Sequence, residues 1–185
     1  MQNLSAKLSE SVPQEIKVGA NECRLARKGE RLVARGVLAD VVVTIQVPTA
    51  AFAAMLRFSA PEEASVSSLR LEALADFADK ALSMLFESIR SLDIPAGGMI
   101  VSAIGGAEAA GHSHGEQLAA AVQKSLLRQS VILSGSDLGG TQSRSIWLES
   151  CSGRLIVRSA PSAPSSPVFC RDAPRSAPLQ RVGTA

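Results

Sequence analysis

A chain of 185 residues, 46% of them apolar, has enough apolar mass for one folded domain, which excludes wholesale disorder. Its formal charge of +2 is too small to recruit nucleic acid electrostatically, and with no Tyr, one Trp and five Phe it lacks the rings a stacking-based binder needs. The three cysteines, Cys23, Cys151 and Cys170, are odd in number, far apart and without CxxC spacing, so neither a disulfide framework nor a zinc site is expected.

In chain order, residues 1–14 are polar and lack the apolar run of a signal peptide; a flexible N-terminus is expected. Residues 15–159 read as the folded domain. Residues 31–34 and 41–47 are β-branched and strand-like, Pro48 and Thr49 mark a turn, and residues 51–59 form a further strand closed by Pro61, which predicts an antiparallel hairpin. The most apolar run, residues 37–47, is short and interrupted by Asp40, so no membrane insertion is expected and the location is read as cytoplasmic. Leu71, Leu74, Ala78, Leu82, Leu85, Ile89 and Leu92 follow a helical period and predict an amphipathic helix over 69–92, ended by Pro95, Gly97 and Gly98.

Residues 99–104 are an apolar strand running into Gly105-Gly106. Leu118, Val122 and Leu126 predict a second helix over 116–129. A short strand is expected at 131–134, a turn at Asp137-Leu138-Gly139-Gly140, and a last hairpin from 145–149 and 154–158 around Ser152-Gly153. Residues 160–185, with Pro161, Pro164, Pro167, Pro174 and Pro178 among Ser, Ala and Arg, read as a disordered tail. The order strands, helix, strand, helix, strands specifies a mixed α/β domain whose sheet strands are covered by two helices.

Two local patterns invite a chemical reading and decline it. His112 and His114 form an H-x-H pair, but two ligands without neighbouring Cys or carboxylate make an incomplete metal site, and a solvated loop is expected. Gly139-Gly140 lacks the spacing and lysine of a phosphate loop, and a turn needing positive φ explains it better. No metal or cofactor is expected.

The second half carries a resemblance. Asp137-Leu138-Gly139-Gly140-x-x-x-Arg144, followed by a strand and then Gly153-Arg154-Leu155-Ile156-Val157, resembles the D-x-G-G-x-x-x-R segment and closing strand of the CheD family of chemoreceptor glutamine deamidases. Gly105-Gly106-Ala107 resembles that family's G-G-A turn, and Phe77-Ala78-Asp79-x-Ala81 the start of its first long helix. Ala54-Met55-Leu56, with Phe58 and Pro61, resembles its strand ending in H-x-x-L-P. The likeness extends over residues 16–159. It implies mixed β-sheets in a sandwich-like core flanked by two main helices.

The resemblance also implies a reaction, hydrolysis of glutamine side-chain amides on methyl-accepting chemoreceptors, and a CheC-type phosphatase as a further partner. It implies a Cys nucleophile, a His base and a supporting Thr. None of the three stands in its place here. The family Cys of G-x-G-S-C-V falls on Asp40 in Gly36-Val37-Leu38-Ala39-Asp40-Val41, the His on Arg57 and the Thr on Ala34, with the Asp40-to-Arg57 interval matching the family's. A glycine of that segment is replaced by Leu38. A guanidinium keeps its proton at neutral pH and cannot serve as general base, and Ala34 offers no hydroxyl. Asp40 and Arg57 are therefore expected to face each other as a salt bridge. Cys23, Cys151 and Cys170, with no His near them in sequence, read as incidental thiols.

Three functions remain open on these residues: a non-catalytic binder of chemoreceptors or of a CheC-type phosphatase, an active protein-glutamine deamidase with a relocated nucleophile, and a scaffold outside chemotaxis.

Overall fold

The computed structural model describes residues 12–59, 71–94, 98–108 and 114–159, together with the backbone of 168–171 and 181–182. Its strands are β1 (Gln14–Lys17), β2 (Glu22–Ala26), β3 (Glu30–Val37), β4 (Val41–Val47), β5 (Phe52–Phe58), β6 (Ile100–Gly105), β7 (Gly135–Leu138), β8 (Arg144–Glu149), β9 (Leu155–Ser159), β10 (Val168–Arg171) and β11 (Arg181–Val182). The helices are α1 (Leu71–Arg90) and α2 (His114–Arg128). The strands form two mixed sheets, one ordered β1-β3-β8-β9-β10-β11 and the other β2-β5-β4-β6-β7. The α/β class and the sandwich-like core with two helices are those expected.

The burial pattern of β4 explains the layering. All seven of its residues are buried, and its β-branched side chains suit a strand covered on both faces. Val41, Val43, Ile45 and Val47 pack with Leu74, Ala78, Leu82 and Leu85 of α1 and with Leu118, Val122 and Leu126 of α2. Val42, together with Ala53, Met55 and Ile104, points the other way and meets Leu32, Ala34, Ile146, Leu148, Leu155 and Val157 of the six-stranded sheet. Two cores therefore lie on either side of the five-stranded sheet. Full burial of a leucine such as Leu82 is worth about 1.5–3 kcal/mol, so the stripe on α1 is what holds the helical layer down. No helix among the described residues is long and apolar enough to cross a membrane.

The predicted hairpin is present: β4 and β5 pair antiparallel from Val41↔Phe58 to Val47↔Phe52, as do β8 and β9. The strand expected at 131–134 is not; the strand is β7, at 135–138, which takes in Asp137 and Leu138, the first half of the expected turn. The cause is the end of α2. Ser130 adopts positive φ, its N–H bonds the Leu127 carbonyl, and the Val131 N–H reaches back to the Leu126 carbonyl, a Schellman closure that occupies residues 130–131. Val131 and Leu133 pack on the helical core. Only from Ser134, whose N–H bonds the Val101 carbonyl, does the chain join β6, in parallel. The positive-φ turn then follows at Gly139 and Gly140.

Candidate functional site

Position 40 sits where the chain passes from the outer sheet to the inner one. The antiparallel register of β3 on β8 slips between Ala34 and Val37, and Gly36 takes positive φ at that bulge. Two residues later the Leu38 carbonyl accepts from the Ala107 N–H at 2.7 Å, and the Asp40 carbonyl accepts from the Gly106 N–H at 2.6 Å. This close approach explains the Gly105-Gly106 pair. A Cβ on Gly105 would lie 2.1 Å from the Asp40 carbonyl oxygen, and one on Gly106 would lie 2.7 Å from the Gly115 carbonyl oxygen at the start of α2.

The Asp-x-Gly-Gly segment buttresses the same corner. β7 lies beside β6 with Ile104↔Asp137 and Gly105↔Leu138 in register, and the Gly139 N–H bonds the Gly105 carbonyl. Arg144, on β8 opposite Val37, is buried and binds Asp137 through two parallel hydrogen bonds, Nε to Oδ2 at 3.0 Å and Nη2 to Oδ1 at 2.9 Å. Its guanidinium also donates to the Gly139 and Gln142 carbonyls. This pair bridges the two sheets and, through the Gly139 bond to Gly105, braces the Gly105-Gly106-Ala107 turn that holds the backbone at Leu38 and Asp40.

Arg57 closes the corner from β5. Its Nε donates to Asp40 Oδ2 at 2.7 Å, and its Nη2 makes a second, shorter contact with the same oxygen. Nη1 and Nη2 donate to the Arg35 and Gly36 carbonyls at 3.0 and 3.3 Å, the groups that the β3 bulge frees from the ladder. The Asp40 and Arg57 side chains are only 21% and 14% exposed, so the pair is largely sheltered from solvent. The expected salt bridge is present. Ala34 is fully buried in the core between the sheets and reaches the corner only through its neighbour Arg35.

The remaining candidates lie apart from this corner. Cys23, on edge strand β2, faces a groove of about 290 Å³ whose lining is largely apolar and, among the described residues, includes no imidazole. Loss of hydration there pushes its thiol above its ordinary value, and a nearby Glu22 carboxylate adds to this against the opposing Arg24 charge. A thiol shifted that way is less often the reactive thiolate. Cys151 is exposed in the β8–β9 turn, where its sulfur accepts the Gly29 N–H at 3.3 Å. Cys170 lies on β10, of which only the backbone is described. His114 is not in a loop as expected; it opens α2 and is half-buried, whereas His112 lies outside the described residues. No group of three or more His, Cys, Asp or Glu able to hold a metal occurs among the described residues.

Two features escaped the sequence reading. β1 and β2 are short, polar edge strands with no β-branched run to mark them, and the carbonyls of Arg35 and Gly36 become ligands of Arg57 only because of the bulge. Gly36 was the one available signal for the latter.

A two-sheet sandwich with one helical layer, its Gly105-Gly106 turn bonded to the backbone at Leu38 and Asp40 and braced by Gly139, is the α/β architecture that the resemblance implies. The family profile described as CheD chemotactic sensory transduction matches residues 61–159. The chain is 30% identical over 150 residues to the "Probable chemoreceptor glutamine deamidase CheD" of Solibacter usitatus, covering 78% of this chain and 89% of that protein. It is 28% identical over 156 residues to the protein of the same name from Haloarcula marismortui, covering 82% and 88%. The chain belongs to the CheD family.

Proposed function

We propose that this member of the family binds rather than catalyses: it docks in the cytoplasm on methyl-accepting chemoreceptors, or on a CheC-type phosphatase, and tunes adaptation by occupancy. The observation that carries this is the Asp40–Arg57 pair. Amide hydrolysis by the family's route needs a nucleophile that gives up a proton and a base that takes it and later protonates the leaving ammonia. Here the position aligned with the base holds a guanidinium already donating to Asp40 and two carbonyls. The position aligned with the nucleophile holds a carboxylate engaged by that guanidinium. The pair keeps the opposite charges of a thiolate and an imidazolium and offers no proton to transfer.

A relocated nucleophile has less support, since no described residue lining the groove around Cys23 is an imidazole and its surroundings disfavour the thiolate. The test is to capture receptor cytoplasmic fragments with the full chain and then examine them by mass spectrometry. Capture without the one-dalton gain of a glutamine becoming glutamate is expected. Absence of capture, both of receptor fragments and of a CheC-type phosphatase, would favour a scaffold outside chemotaxis.

A further inference from the structure

The Asp40–Arg57 corner borders a cleft of about 540 Å³, lined by Glu15 and Lys17 of β1, Val33 and Arg35 of β3, and Arg57 itself. That volume lies within the range of ligand pockets. The register explains the lining. β1 runs parallel to β3 with Glu15↔Arg31 and Lys17↔Val33, so strand alternation puts Glu15, Lys17, Arg31, Val33 and Arg35 on one face of the outer sheet. Arg57, at 14% exposure, is the most sheltered charge of the cleft, whereas Arg35 is 60% exposed.

The charges around the cleft do not cancel. Arg31 holds Glu15 at 2.8 Å and is also matched by Glu149 at 3.6 Å. Arg35 reaches only the second Glu15 oxygen, at 3.5 Å, and lays its guanidinium on Trp147, 5.4 Å from the ring centroid. Lys17 has no ion-pair partner among the described residues. Arg57 is matched by Asp40, and its Nη1 donates once, to the Arg35 carbonyl, leaving a further Nη1 N–H without an acceptor among the described residues. Lys17, Arg31, Arg35 and Arg57 thus stand against Glu15, Asp40 and Glu149, which leaves one positive charge over.

A single surplus charge suits a monoanion; a dianionic phosphate would put a second negative charge beside Glu15 and Asp40. A carboxylate is such a monoanion and accepts several N–H donors at once. Arg57 also lines the apolar groove of Leu56, Phe58, Phe77 and Met84, where Phe77 is 38% and Met84 69% exposed. A ligand that fills the cleft and this groove together carries its acid on a segment with apolar side chains, as a partner protein does and a small free acid does not.

We propose that the cleft is a carboxylate site that receives a glutamate side chain of the docked partner and discriminates against glutamine. A glutamine amide has no charge to match the surplus, and it turns N–H donors towards Lys17 and Arg35. Such a site favours receptors whose glutamines are already deamidated. The carboxylate preference stands on the cleft alone; its assignment to a chemoreceptor glutamate rests on the function proposed above.

The full chain is titrated at low ionic strength with the blocked tripeptides acetyl-Ala-Glu-Ala-amide and acetyl-Ala-Gln-Ala-amide. Binding is followed by the Trp147 indole and arginine Nε–H nuclear magnetic resonances. The glutamate peptide is expected to saturate with a Kd of about 1–10 mM and to bind about tenfold tighter than the glutamine peptide. Lys17→Gln should weaken it about threefold and Lys17→Glu about tenfold. A preference below about threefold, or one that survives Lys17→Glu, overturns the site. Inorganic phosphate binding more tightly than the glutamate peptide overturns its carboxylate preference. A second arm captures receptor cytoplasmic fragments before and after treatment with an active CheD deamidase. Binding about tenfold tighter after treatment, and lost in Lys17→Glu, is expected. Equal capture of both fragments overturns the assignment to a receptor glutamate. Capture of neither, beside an intact peptide preference, overturns the docking function and upholds the site.

Discussion

Replacing Arg57 by methionine keeps the aliphatic stem in place and removes only the guanidinium. Four donor contacts disappear, two to Asp40 and one each to the Arg35 and Gly36 carbonyls. Asp40 is left as a carboxylate that is mostly sheltered, at 21% exposure, without its counter-charge. Breaking a buried pair from one side costs about 3–5 kcal/mol, and residual solvent at this corner reduces that to about 2–3 kcal/mol. Asp40→Ala leaves the guanidinium its two carbonyl acceptors and should cost less, about 1–2 kcal/mol. The double variant should then be less damaging than the sum, with a coupling energy of about 1–2 kcal/mol. Urea unfolding reads these differences, and Trp147, the chain's one tryptophan, reports the transition from the outer sheet between Arg35 and Arg158. A coupling energy below about 0.3 kcal/mol would refute the view that the two charges hold this corner together.

Gly105→Ala places a methyl into the Asp40 carbonyl at a positive φ, and thermal unfolding should show a loss of about 3 kcal/mol or more, against well under 1 kcal/mol for Gly29→Ala corrected for its own positive φ, where nothing lies within 4 Å. Asp137→Ala strands the buried Arg144 guanidinium and should cost about 3 kcal/mol by urea unfolding, with Asp137→Asn recovering part of it. At Asp79, the neighbouring Ser125 hydroxyl and the Arg128 guanidinium hold the carboxyl below its ordinary 3.8. A carboxyl lowered on folding stabilises the protein above its unfolded value and loses that contribution as pH falls through its folded one. Unfolding curves of Asp79→Asn should therefore lack part of the wild-type decline below about pH 4, while an identical acid limb would contradict the assignment.

What the residues disclosed follows from how locally each feature is encoded. β4 announces itself because seven buried residues in a row are mostly β-branched, and α1 because its buried stripe repeats at helical spacing. The Asp40–Arg57 contact was legible through the resemblance, which places the two residues at the family's Cys and His positions, and the β4–β5 register does bring Arg57 beside the entry to β4. The edge strands β1 and β2 were not legible, since their pairing is supplied by β3 and β5 and not by their own composition. The displaced strand β7 shows a different limit. Val131 and Leu133 look like strand residues in sequence, but the closing turn of α2 claims the backbone first. Ala34 was read as a site position, and its side chain proves to fill the core between the sheets, so restoring a hydroxyl there also adds volume to a closed space.

The proposal that this corner no longer transfers protons is tested most directly by mass spectrometry of receptor cytoplasmic fragments incubated with the wild-type chain and with the Ala34→Thr/Asp40→Cys/Arg57→His triple variant. The account predicts glutamines left intact by the wild type and a one-dalton gain, if any, with the triple variant alone. A one-dalton gain produced by the wild-type chain would contradict it, whether Asp40→Ala then abolishes that gain or leaves it.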